Sequence, residues 1–217
     1  MESPMRAFRS MIALLALALP LSAMAQALPE PRLDLDYSVI EPAQPMSAKP
    51  GRIEVVEVFG YSCIHCARFE PLVQKWKKEL PEDVDFVYVP MSNGGAWETF
   101  GRAFYAAESL GLLDKAHEAL FNAVHIEKTI TSLDQVPAFY EQFGVDEETF
   151  KSTMESTGVN IKIARAKQVV PRWRVEGTPT MVINGKYRVM ATDRGLPGML
   201  DTANWLIDRE RSAVAAN

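Results

Sequence analysis

Between Ile53 and Val89 the chain reads strand, helix, strand, and this run limits the fold more than any other. Ile53–Phe59 (IEVVEVF) is rich in β-branched residues and bounded by Gly51 and Gly60, the pattern of a buried strand. From Ser62 to Leu80 the apolar residues switch to helical spacing. Phe69, Leu72, Val73, Trp76 and Leu80 share one face, while Lys75, Lys77, Lys78 and Glu79 take the other. Pro71 falls inside that helix and predicts a kink. Val84–Val89 (VDFVYV) is a second strand. Such a βαβ unit has parallel strands and a right-handed crossover.

The rest of the chain is organised around that unit. Residues 26–50 carry five of the 14 prolines and read as an extended lead-in, with room for one short strand near Leu35–Ile40. Residues 51–95 hold the βαβ unit. Residues 96–172 show no strand pattern: Trp97, Phe100, Phe104 and Ala107 recur at helical spacing, as do Leu113, Ala116, Leu120, Phe121 and Val124. Those aromatic residues read as core. Ser132 with Gln135 resembles a capping box, Asp146 opens a further helix, and Gly158 starts the last of the block. Within residues 173–217, Thr180–Ile183, Asn184-Gly185 and Lys186–Met190 form a β-hairpin, and Met199–Ile207 a closing helix.

Composition excludes several classes. With 217 residues, 47% hydrophobic and 24% charged, the chain can bury a core and is not disordered. Its net charge of −5 argues against a nucleic-acid partner. At the N-terminus, Arg6 and Arg9 precede the apolar run Met11–Leu19, then Pro20 and Ala23-Met24-Ala25, a small-x-small cleavage pattern. Such a run is about 13 Å long as a helix, too short for a hydrocarbon core of about 30 Å. Residues 1–25 therefore read as a signal peptide cut after Ala25, with Met1 or Met5 as the start. Export places both cysteines in an oxidising compartment.

Those two cysteines, Cys63 and Cys66, stand three apart where the first strand gives way to the helix. Unpaired N–H groups and the positive end of the dipole at a helix N-terminus favour a thiolate on Cys63. His65 adds a donor or positive charge beside it. Cys66, one turn in, is expected to be more buried and within reach of the first sulfur. One attacking thiolate and one resolving thiol are what disulfide exchange needs. A purely structural staple is the competing reading, but closing four residues gives about 2 kcal/mol, against about 3 for fifteen. Zinc lacks a fourth ligand nearby, and residue 67 is Ala where c-type haem attachment needs histidine. Neither a metal nor another cofactor is expected.

Three further positions stand out. Thr178-Pro179 precedes the hairpin strand and is a candidate cis peptide, although the local sequence by itself favours an ordinary trans turn proline. Glu57 is a carboxylate in an otherwise apolar strand; it either points to solvent from an edge or lies buried below the cysteines as a proton relay. Glu70, one turn beyond Cys66, reads as a solvated glutamate, and His117 and His125 as ordinary helix residues.

The signal peptide, Phe59-Gly60-Tyr61-Ser62 before Cys63-Ile64-His65-Cys66, the helical block and Gly177-Thr178-Pro179-Thr180 together resemble the DsbA family of periplasmic thiol:disulfide interchange proteins. The resemblance covers residues 26–217. It implies an α/β thioredoxin fold with an inserted helical domain. It also implies a redox disulfide Cys63–Cys66 with Cys63 as nucleophile, His65 favouring its thiolate, and Pro179 as a cis-proline over the disulfide. Thr178 would pair its backbone with substrate, and Glu57 and Glu70 would be supporting acidic residues. The family is itself the standard case of a very acidic cysteine and a strongly oxidising couple. Implied partners are reduced, unfolded exported polypeptides and a quinone-linked membrane reoxidase of the DsbB type. A monomer is expected, since no apolar stripe is left over. The chain departs from the pattern at Ile64, where the best-known member has proline. It also lacks a clear counterpart of the lysine some members place near the buried glutamate; Asp85 falls in that region.

Overall fold

The computed structural model describes residues 29–47 and 49–215, so the leader and its expected cleavage after Ala25 lie outside the described residues. The strands are β1 (Tyr37–Val39), β2 (Ile53–Phe59), β3 (Val84–Pro90), β4 (Thr180–Ile183) and β5 (Tyr187–Met190). Helix α1 (Ile64–Lys77) joins β2 to β3. Helices α2 (Gly95–Ser109), α3 (Leu113–His125), α4 (Val136–Phe139), α5 (Glu147–Met154) and α6 (Thr157–Arg172) lie between β3 and β4, and α7 (Gly195–Ala215) ends the chain. None of these helices is long and apolar enough to cross a membrane.

The strands form one sheet in the order β1-β5-β4-β2-β3, with β2 and β3 parallel and the other pairs antiparallel. Strand β2 is therefore interior, and all seven of its residues are buried. Alternation divides its side chains between two cores. Ile53 and Val55 pack with Phe69 and Val73 of α1 and with Met199, Ala203 and Leu206 of α7. Val56 and Val58 join the aromatic core of the helical block, with Phe100, Phe104, Leu120 and Phe121. Burying such side chains contributes about 1.5–3 kcal/mol each, which makes the β2 layer the chief tie between sheet and helices.

The helical block follows the expected caps closely. Asp146 accepts from the Thr149 N–H at 2.9 Å, and Gln135 accepts from the Ser132 N–H at 3.1 Å. Ser156 caps α6, whose first residue, Thr157, is one earlier than the expected start at Gly158. The stretch after Ser132 does not make one continuous helix. It breaks into short 3-10 and α segments, with Pro137 near the start of α4 and Gly144 left-handed at the end. Helix α7 is longer than its apolar spacing implied, because Asp208, Arg209 and Arg211 on its outer side interrupt the hydrophobic pattern.

The hairpin turn places Asn184 and Gly185 at φ 50° and 59°. Ile183 faces Tyr187, so Lys186 belongs to the turn and the second strand starts one residue later than expected. The Lys186 carbonyl instead receives the N–H of Ile40 at 2.7 Å. Gly185 is required for space as well as for φ: a Cβ there would run into the backbone of Gln44. The proline-rich lead-in is thus pinned under the hairpin. Trp173 Nε1 donates to the Gln44 carbonyl at 2.8 Å, and the Glu54 carboxylate receives the N–H groups of Met46 and Ser47 at 2.7 and 2.6 Å. Glu41-Pro42 in this segment is cis, a feature nothing in the sequence pattern announced.

Candidate active site

Cys63 caps α1. Its backbone is extended (φ −94°, ψ 113°), and its sulfur accepts the N–H of Cys66 at 3.4 Å. A thiol at an N-cap takes the place usually held by Ser or Asp, where the free N–H groups of the first turn meet it. From the other side it donates to the Thr178 carbonyl at 3.3 Å. Hydrogen bonding from the Cys66 thiol, then contact with Thr178 and the N–H groups of Cys66 and His65, outweigh burial and bring the Cys63 thiol down to about 5. Cys66 is fully buried, and burial above all, followed by Cys63 and Glu57, pushes its thiol strongly upward. Both cysteines are free thiols. One sulfur is acidic and open, the other neutral and covered.

Ile64 and His65 form the outer face of this turn, both exposed. Thr178-Pro179 is a cis peptide, with Pro179 buried and Thr180 Oγ1 donating to the Gly177 carbonyl at 2.8 Å. The cis-proline loop and the cysteine turn therefore meet across the Cys63–Thr178 contact.

Beneath the cysteines lies a buried polar cluster. Glu57 is at the centre of the sheet, between Tyr88 of β3 and Met181 of β4, and is 1% exposed. The solvent-facing alternative for this residue is therefore excluded: β2 is not an edge. Its Oε2 has no hydrogen-bond partner, and burial, then the neighbouring Glu70, raises its carboxyl well above the usual range. Glu70 is also 1% exposed, correcting its reading as solvated. Its carboxylate accepts from Tyr88 Oη at 3.1 and 3.2 Å and from Gln74 Nε2 at 2.5 Å. A helix position opposite a wide apolar surface is buried only because α3 covers it, which local sequence cannot reveal.

His117 and His125, read as ordinary helix residues, belong to this region. His117 Nδ1 is 2.6 Å from the Tyr61 hydroxyl, and its Nε2 is 3.3 Å from Glu70 Oε2. His125 Nε2 donates to the Tyr61 carbonyl at 2.7 Å. Both histidines of α3 thus brace the residue two before Cys63. Lys77, assigned above to the solvent face, is half-buried with its ammonium over the rings of Tyr88 and Phe86 at 4.6 and 5.0 Å. Its charge lowers the Glu57 carboxyl against the effect of burial, while burial lowers Lys77 itself. Asp85, by contrast, pairs with Lys49 and Arg52 at 2.9 and 2.5 Å. The cation near the buried acids comes from α1, not from β3. The one sequence signal was an aromatic pair, Phe86 and Tyr88, two residues apart on the strand facing Lys77.

Replacing Glu57 by leucine, of similar size, removes a buried carboxyl whose Oε2 is unpartnered. The variant is expected to gain about 1–3 kcal/mol of stability. Thermal unfolding of the reduced proteins measures this, and a variant less stable than the parent would contradict the burial argument.

An acidified, accessible thiol above a covered one, met by a cis-prolyl loop on a βαβ-plus-hairpin sheet with a helical insertion, defines a thiol-disulfide oxidoreductase of the thioredoxin fold. A family profile described as the DSBA-like thioredoxin domain matches residues 82–197. The chain is 40% identical over 181 residues to the thiol:disulfide interchange protein DsbA of Pseudomonas aeruginosa, covering 82% of this chain and 85% of that one. The crystal structure of Pseudomonas aeruginosa DsbA superposes with a TM-score of 0.78 at 37% identity, covering 85% of this chain and 96% of that one. That of DsbA from Xylella fastidiosa gives 0.77 at 35% identity, covering 82% and 96%. The chain belongs to the DsbA family of thiol:disulfide interchange proteins.

Proposed function

We propose that the protein works in the periplasm as a disulfide donor to exported polypeptides, through a Cys63–Cys66 disulfide. The observation that carries this reading is the asymmetry of the two sulfurs. A substrate thiolate attacks Cys63 Sγ, the Cys63–Cys66 bond breaks, and its electron pair goes to Cys66. Cys66, too buried to persist as a thiolate, takes a proton from the buried Glu57 carboxyl, which regains one from solvent so that the reduced enzyme again holds Glu57 protonated. The substrate's second thiolate then attacks its own sulfur in the mixed disulfide, and Cys63 departs as a stabilised thiolate. The substrate gains a disulfide and the enzyme keeps two electrons. Because a low-pKa thiolate leaves readily, the exchange runs toward oxidised substrate.

Thr178, adjoining the cis-proline, offers backbone groups for strand addition by an extended polypeptide, which reads backbone more than side chain. A groove of about 420 Å³ lined by Met91, Ser92, Val170, Pro171 and Val175 begins three residues from Thr178 and gives such a chain room. His65 contributes its N–H to the thiolate site, with Glu57 and Glu70 as supporting acid–base groups and Pro179 as the proline facing the sulfurs. By likeness to the family, a quinone-linked membrane reoxidase of the DsbB type restores the disulfide. The N-terminal leader, cut after Ala25, accounts for export, and the protein acts as a monomer.

The test is the equilibrium of the cysteine pair with glutathione. A donor is expected at roughly −200 mV or above, whereas a value near thioredoxin's, roughly −270 mV, would reverse the direction of electron flow and overturn the reading.

A further inference from the structure

The buried acid pair is served unequally by hydrogen-bond donors. Tyr88 Oη and Gln74 Nε2 both donate to Glu70, and the His117 ring faces Glu70 Oε2 at 3.3 Å. Glu57 Oε2, equally buried, has no such donor, and His117 Nε2 itself makes no hydrogen bond, leaving Glu70 Oε2 as the polar atom it faces. When two carboxyl groups share an interior, the one surrounded by donors carries the charge and the bare one keeps the proton. His117 is the member of this set that comes from the helical insertion. It is 2% exposed and enclosed by Phe59 of β2, Tyr88 of β3, Phe104 of α2, and Tyr61 and Phe121.

Tyr61 decides which nitrogen of His117 carries hydrogen. Burial raises the Tyr61 hydroxyl well above its ordinary value, so it stays protonated and can donate across 2.6 Å to Nδ1. The ring hydrogen then sits on Nε2, which lies 3.3 Å from Glu70 Oε2 without an aligned hydrogen bond. The charged and titratable groups around this centre are Glu70 and Lys77 of α1, Glu57 of β2, Tyr88 of β3, Tyr61, and Asp114 and Glu118 of α3.

We propose that His117 is a positioning residue for the exchange reaction: its Nε2 edge, 3.3 Å from Glu70 Oε2 and otherwise unpartnered, favours negative charge on Glu70 electrostatically, so that the proton passed to Cys66 resides on Glu57. This rests on the role given to Glu57 above and extends it to the helical insertion. Without the imidazole, the proton is shared with Glu70, and a negative Glu57 then stands under both sulfurs. The reduced enzyme loses part of the stabilisation of its Cys63 thiolate.

Two measurements test this. In the wild-type protein, long-range proton–nitrogen correlation of the His117 ring between pH 5 and 8 is expected to show a protonated Nε2 and a bare Nδ1. The opposite tautomer overturns the proposal. In H117L, Cys63 thiolate absorbance is expected to appear at higher pH, and the glutathione equilibrium to shift roughly threefold or more toward the oxidised enzyme. H117Q, which returns an N–H donor, should recover most of both. In an E70Q background, H117L should add nothing. An unchanged Cys63 titration with only a lower melting temperature, or equal shifts in both backgrounds, would show His117 to be packing alone. Should H117L fail to fold, the wild-type tautomer and H117Q still decide. Disulfide donation by the wild type is scored separately, so loss of the function reading and loss of this proposal are told apart.

Discussion

Cys63→Ser is expected to abolish disulfide exchange outright, with insulin reduction by dithiothreitol falling to the uncatalysed rate. Serine fills the N-cap as well as cysteine does, and can accept the same Cys66 N–H. Its hydroxyl cannot form a disulfide, so the fold survives while the chemistry goes. Cys66→Ser separates the two sulfurs further. With Cys63 intact it still attacks substrate disulfides, but the resolving thiol is missing, so mixed disulfides should accumulate on Cys63 and be visible by mass. Any Cys63→Ser preparation that retains catalysis would mean the two cysteines are not the reacting pair.

The second large effect is a pH dependence of stability that belongs to the reduced protein. Cys63 falls from an ordinary thiol value near 9 to about 5 on folding. Its folded value is depressed, so the stabilisation is complete above the unfolded value and is lost as pH falls through about 5. Between those limits the unfolded chain holds one more proton than the native one, and stability rises with pH. The whole displacement would be worth roughly 5 kcal/mol, and the partial exposure of the sulfur reduces this to about 2–3 kcal/mol. The disulfide form lacks the group altogether. Subtracting the oxidised protein's unfolding free energy from the reduced protein's therefore isolates Cys63, and that difference should climb by this amount from pH 4 to 9. Beyond about 9 the trend turns, since Cys66 stays a thiol in the folded chain but ionises in the unfolded one. A flat difference across this range would remove the acidic thiolate from the account.

Much of this site is legible in the sequence. Two cysteines three apart at a strand–helix junction have few functions compatible with their spacing, and Asn-Gly between β-rich runs has few alternatives to a turn. Those are local signals. Glu57 was visible as an anomaly, but its burial depended on β4 pairing with β2 from more than a hundred residues away, so solvent remained a fair competing reading. Glu70, Lys77 and His117 were harder still. Each lies on a helix whose own pattern assigns it to an unremarkable face, and each becomes part of the site because α3 closes over α1. Charge and spacing along one helix say nothing of what a second helix will cover. The cis peptide at Glu41-Pro42 had no signal at all, because proline in an extended segment is compatible with either isomer.

The strand order has a consequence for how such a chain can be delivered. β1, the first strand, lies at the sheet edge against β5, the last, and the interior strand β2 needs β4 on one side. A polypeptide emerging N-terminus first, as in synthesis, can therefore form α1 and much of the helical block early, but cannot complete the sheet until Met190 has appeared. Until then β2 offers an open flank of hydrogen-bonding groups, and the lead-in has no hairpin to lie under. Sheet closure is thus postponed until the last strand has emerged. The architecture leaves the central strand half-paired until nearly the whole chain is present.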